Sequence, residues 1–129
     1  MNNNDLHKFL TTEVYDLASR VGSLASLRRI DRTQISNVLS VYEGESNPVD
    51  ACKMTITFIA RQISRGEFNR EVGLRIISDL SNLIKKFKND ELRIAVRKYL
   101  YLLKWFYESN PRIECKDFND FIKIMTEKR

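Results

Sequence analysis

A chain of 129 residues and 15.2 kDa supplies one domain with a modest core and is too short for two. Four glycines and two prolines leave too few breaks for a β-sandwich or barrel, which turns about every 8–12 residues. Charged residues at 30% and apolar ones at 43% give the balance of a folded domain, and a net charge of +5 favours an acidic partner.

No apolar stretch approaches the roughly 20 residues that a membrane helix needs, so no membrane partner is expected. The opening Met1-Asn2-Asn3-Asn4-Asp5 has neither a basic n-region nor an apolar stretch, so no secretory signal is expected and the location read is cytoplasmic. Cys52 and Cys115 are the only cysteines and read as reduced thiols, with Cys52 a core filler. His7 is the only histidine, placed near a frayed N-terminus. Without a His/Cys cluster, a Ser–His–Asp triad or a Cys–His pair, neither zinc nor nucleophilic chemistry has its parts. Gly22, Gly44, Gly66 and Gly73 are isolated, so no phosphate loop is present either. The sequence therefore predicts no catalytic residue, no cofactor, no metal and no enzyme.

Helical periodicity dominates. Leu6, Phe9, Leu10, Val14, Leu17, Val21 and Leu24 recur at spacings of three and four, with Gly22 a soft spot that costs about 1 kcal/mol relative to Ala. Asp31 or Thr33 caps a second helix bearing Ile35, Val38, Leu39 and Tyr42. After the loop at residues 43–48, Asn47 as N-cap and Pro48 at the first helical position start a third. It runs to Ser64 or Arg65, is stopped by Gly66, and buries Val49, Cys52, Ile56, Ile59, Ala60 and Ile63. A fourth, from Asn69 to Lys88, buries Val72, Ile76, Ile77, Leu80, Leu83, Ile84 and Phe87. The fifth is capped by Asn89 or Asp90 and ended by Asn110-Pro111; its stripe from Leu92 to Phe106 makes it the centre of the bundle. A short helix from Lys116 to Glu127 follows. The fold class is all-α: one bundle of five to six helices over residues 1–129, with residues 111–129 a C-terminal helical extension.

Basicity is concentrated. Residues 51–88 carry +5 and residues 31–50 carry −3. Lys53, Thr57, Arg61 and Arg65 form one row at a spacing of four, and Arg93, Arg97, Lys104 and Glu108 a similar one with Lys98 beside it. Two such rows can track a phosphate backbone by releasing its counterions, and Thr57 and Gln62 could add hydrogen bonds. The competing reading is a solvated face. Of the late aromatics, Tyr99 and Phe106 read as core, and Tyr101 and Trp105 as a core edge or a contact between subunits.

Three pieces in order carry a resemblance: Thr33-Gln34-Ile35-Ser36-Asn37-Val38-Leu39 after Arg28, Arg29 and Arg32; Phe58-Ile59-Ala60-Arg61; and Lys98-Tyr99-Leu100-Tyr101-Leu102-Leu103 running into Trp105-Phe106-Tyr107. The span from Thr33 to Glu108 resembles the small helical subunit of type III-A CRISPR effector complexes, the Csm complexes. The resemblance implies a non-catalytic subunit of an antiviral ribonucleoprotein, with guide RNA, target RNA and other effector subunits as partners and self-association in isolation. It puts Arg61 and Lys98 at motif positions for RNA contact; Lys53, Arg65 and Arg97 join them by sharing the rows. The small subunit of the related Cmr complexes is a further match of the same kind, and residues 111–129 read as a docking element. Two readings stand beside this one: a helical protein–protein adaptor or regulator without RNA binding, and a DNA-binding helix-turn-helix using Arg28, Arg29, Arg32 and Gln34.

Overall fold

A computed structural model describes residues 3–127. The helices α1 (Asn3–Lys8) and α2 (Val14–Leu27) are joined through a π-helical turn (Phe9–Glu13) into one rod. Then come α3 (Arg32–Glu43), α4 (Pro48–Ser64), α5 (Arg70–Lys86), α6 (Asn89–Glu108) and α7 (Phe118–Glu127). Six rods and no strand among the described residues give the all-α bundle that the periodicity predicts. His7 lies inside α1, within a helical turn.

Side-chain caps set most boundaries. Asp31 accepts the Thr33 N–H at 2.9 Å, Asn47 the Asp50 N–H at 2.9 Å and Asn69 the Val72 N–H at 3.0 Å, each satisfying an amide that has no partner within the helix. Gly66 ends α4 in the left-handed region, φ +72°, with the Glu67 N–H on the Gln62 carbonyl. Asn89 behaves differently from a cap. It opens α6 with φ 54°, a conformation asparagine tolerates, and the Lys88 carbonyl accepts from Glu91 and Leu92.

Pairings between elements fix the directions. Lys86 reaches Glu13, Tyr99 reaches Asp79 and Arg28 reaches Glu71, so α5 runs antiparallel to both α2 and α6. Gln62 meets Gln34, and Arg97 meets Glu43, so α3 is antiparallel to α4 and α6. Thus α2, α4 and α6 point one way and α3 and α5 the other.

The broadest packing is α2 on α6. There Gly22 is required, in contrast to the soft spot expected from its sequence. A Cβ at Gly22 would stand 2.6 Å from the Phe106 Cβ and 2.7 Å from the Leu103 carbonyl oxygen, so the two backbones touch with nothing between them. Small neighbours on α2 extend the seam, and their hydroxyls hold the segment after α6. Ser26 accepts the Arg112 N–H at 2.9 Å, Ser23 the Cys115 N–H at 2.7 Å, and Asp16 the Phe118 N–H at 2.9 Å. Residues 111–127 therefore lie along α2 of their own bundle. Phe118 and Phe121 meet Phe106 at 6.0 and 4.6 Å between ring centroids.

The buried face of α4 is rotated from the expected stripe. Ala51, Cys52, Thr55, Ile59 and Gln62 are buried, Val49, Ile56 and Ile63 are half-buried, and Ala60 is exposed. A single methyl loses little by exposure, whereas Thr55 and Gln62 enter the core because the Ala51 carbonyl and the Gln34 side chain satisfy them. Burial pushes the Cys52 thiol up to about 11, which leaves it a neutral filler.

Two predictions follow from this packing. Gly22→Ala favours the helix by about 1 kcal/mol yet overpacks the seam, so denaturant titration should show a net loss of about 1–3 kcal/mol; a gain would mean the helices do not touch there. Asp79, largely removed from water and hydrogen-bonded by Tyr99 at 2.5 Å, has its carboxyl pushed above the ordinary 3.8 by burial, against the lowering effects of Tyr99, Arg20 and Arg75. A raised native pKa means stability is lost as pH climbs through it. The stability of Asp79→Asn relative to wild type should therefore grow as pH rises above 3.8; a difference independent of pH would contradict this.

Candidate nucleic-acid interface

On α4 the burial of Cys52, Thr55, Ile59 and Gln62 turns Lys53, Thr57, Arg61 and Arg65 outward, all exposed. Lys53 and Arg61 are eight residues apart, which is two turns and about 12 Å of helix axis. Neither is in an ion pair among the described residues. They border an open groove of about 480 Å³ between α4 and the end of α3, floored by Met54, Phe58 and Val41. Asp50, one turn before Lys53, is the acid on its rim. The apolar floor is the part that charge counting overlooks. Met54, 47% exposed, and Phe58, at a spacing of four, already marked it.

The other candidates are placed differently. Arg65 leans on Glu67 at 3.7 Å. Arg97 donates to Glu43 at 3.0 Å, and that carboxylate raises its pKa further above the ordinary value. Lys98 turns to the first rod, where its ammonium donates to the Leu10 carbonyl in the π turn at 2.7 Å and sits 5.0 Å from the Tyr15 ring centroid. Adjacent residues on a helix point about 100° apart, so Arg97 goes to α3 and Lys98 to α2. Arg97 and Lys98 are thus divided between two internal partners and do not extend the α4 row.

The two hydrogen-bonding residues expected beside the rows are also engaged. The Thr57 hydroxyl donates to the Lys53 carbonyl at 2.8 Å, and the Gln62 amide is buried against Gln34. A phosphate oxygen only accepts, so Thr57 has no proton free for it, and Gln62 is withheld by burial. Tyr99 and Phe106 are core as expected, Tyr101 is half-buried and Trp105 stands 62% exposed. Among the described residues no group of three or more His, Cys, Asp or Glu gathers, and no helix is long and apolar enough to cross a membrane. Comparison with protein-family models, curated proteins and solved structures finds no match to this chain.

The division of the cations has a measurable consequence. Lys98→Met removes a charged hydrogen bond to a backbone carbonyl and should cost about 1.5–3 kcal/mol in a denaturant titration. Lys53→Met touches no such partner and should stay within about 0.5 kcal/mol of wild type. Equal effects would show that Lys98 is not tied to the first rod.

Proposed function

We propose that this chain is a non-catalytic helical subunit of a type III CRISPR ribonucleoprotein, cytoplasmic, that holds the backbone of guide or target RNA and packs against other effector subunits. The observation that carries the reading is the α4 face, where Lys53 and Arg61 project without a carboxylate partner above an apolar groove. Arg61 is also the basic residue of the Phe58-Ile59-Ala60-Arg61 segment that resembles the Csm small subunit. The physics is electrostatic: cations neutralise phosphates and release counterions, so affinity is independent of sequence and falls with salt. Base pairing elsewhere in the particle supplies the sequence choice. Arg97 and Lys98, committed to Glu43 and Leu10, serve this reading by holding α6 in place.

The test is a salt series of single-stranded RNA binding with the double variant Lys53→Gln/Arg61→Gln. For single strands each phosphate contact contributes about 0.7 to the slope of log affinity against log salt, so the variant should flatten it by about 1.4. An unchanged slope and affinity would overturn the reading. The exposed Trp105 favours the alternative of a protein–protein adaptor; there the wild type binds no RNA even at low salt, and Trp105→Ala abolishes capture of a protein partner.

A further inference from the structure

The helices α2 and α4 end in the same backbone turn on different residues. In α4 the Gly66 N–H meets the Ile63 carbonyl at 3.0 Å and the Glu67 N–H the Gln62 carbonyl at 2.8 Å. In α2 the Arg29 N–H meets the Ser26 carbonyl at 3.2 Å and the Ile30 N–H the Ala25 carbonyl at 3.1 Å. The left-handed position that α4 gives to glycine is held in α2 by Arg29, φ 56°. A side chain there costs about 1–2 kcal/mol, which is why glycine is usual.

Arg112 repeats the pattern at φ 59°, its N–H held by the Ser26 hydroxyl. These two arginines and Arg32, the first residue of α3, line one open cleft of about 360 Å³ together with Ser26, Tyr107 and Glu108. Tyr107 donates to the Ile30 carbonyl, so the floor is pinned from α6 to the α2–α3 turn. Arg29 and Arg32 are in no ion pair among the described residues, and the Arg112 Nε donates to the Asn110 side chain at 3.1 Å. Asp31 nearby is used in capping α3. Glu108 is the one carboxylate in the lining, so three guanidinium groups from three segments leave a local excess of positive charge.

We infer that this arginine cleft, at the end of the bundle where α2 and α6 finish and α3 begins, binds a phosphate group. Guanidinium forks match phosphate oxygens two at a time, and the excess left after Glu108 suits a dianion better than a single carboxylate. The open mouth admits a phosphate carried on a larger molecule as well as a free one. The cleft shares no residue with the α4 groove, and the inference does not depend on the function proposed for that groove.

Glycine variants separate charge from fold. Arg29→Gly and Arg112→Gly relieve the left-handed backbone while deleting a guanidinium, so melting temperature should hold or rise while affinity for inorganic phosphate, read by NMR titration, falls about tenfold. Arg32→Gln, at an exposed helix start, should lower it likewise and keeps the test open if a glycine variant fails to fold. A parallel titration with short single-stranded RNA tells the sources apart. RNA affinity that falls with phosphate affinity assigns the site to the RNA backbone, and RNA affinity that holds assigns it to a small phosphate compound. Wild-type arginine side-chain signals that do not move with phosphate, or folded variants that bind it as tightly as wild type, would overturn the inference. Arg61→Glu, outside the cleft, reports on the α4 groove alone.

Discussion

Contact between the α2 and α6 backbones at Gly22 is the constraint on which the rest of the structure depends. With the Leu103 carbonyl and the Tyr107 amide 2.7 and 3.0 Å from where a Cβ would stand, too close to admit one, α6 can sit in only one register on α2. That register brings Tyr107 beside Ile30 and Lys98 beside Leu10. Because the α2 face at the seam is built of small residues, hydroxyls at Ser23 and Ser26 remain available on its flank. They take the buried amides of the segment that leads to α7.

The same register sorts the cations. Of those on α6, Arg97 is spent on a carboxylate and Lys98 on a carbonyl, so these two define where the helix lies and offer little to an outside anion. Those of α4 stand on its exposed face, and Lys53 and Arg61, bordering the groove beside the end of α3, keep their charge for solvent or ligand. At the end of the bundle Arg29, Arg32 and Arg112 meet because α2 and α6 run parallel and finish together, just where α3 starts. Two small anion-facing regions therefore stand out, Lys53 and Arg61 on α4 and Arg29, Arg32 and Arg112 at the bundle end.

Much of the fold was legible in the sequence because its signals are local. Asp31 and Asn47 cap where a side-chain oxygen three or fewer residues from an amide must cap, and Gly66 stops α4 where a left-handed residue is needed. Gly22 was misread because helix propensity sees one helix at a time, and the reason for a glycine there lies in the backbone of α6, more than 80 residues away. Thr55 and Gln62 entered the core for a similar reason: their hydrogen bonds are visible only once the backbone is folded. The candidate site divided along the same line. Spacing of four located the outward α4 row, but the partners of Arg97 and Lys98 come from α3 and the first rod, and no spacing within α6 announces them. Arg112 lay outside every sequence pattern, since only the turn after α6 brings it to Arg29 and Arg32.

Competitive acetylation of the lysines, read by mass spectrometry with and without single-stranded RNA, tests this sorting of charge most directly. An ammonium held by a carbonyl and an aromatic ring reacts slowly, and one that stands in solvent reacts fast until a phosphate covers it. The account predicts that Lys53 is modified quickly and shielded by RNA, while Lys98 is slow in both states. Rapid modification of Lys98, shielded by RNA as fully as Lys53, would contradict it.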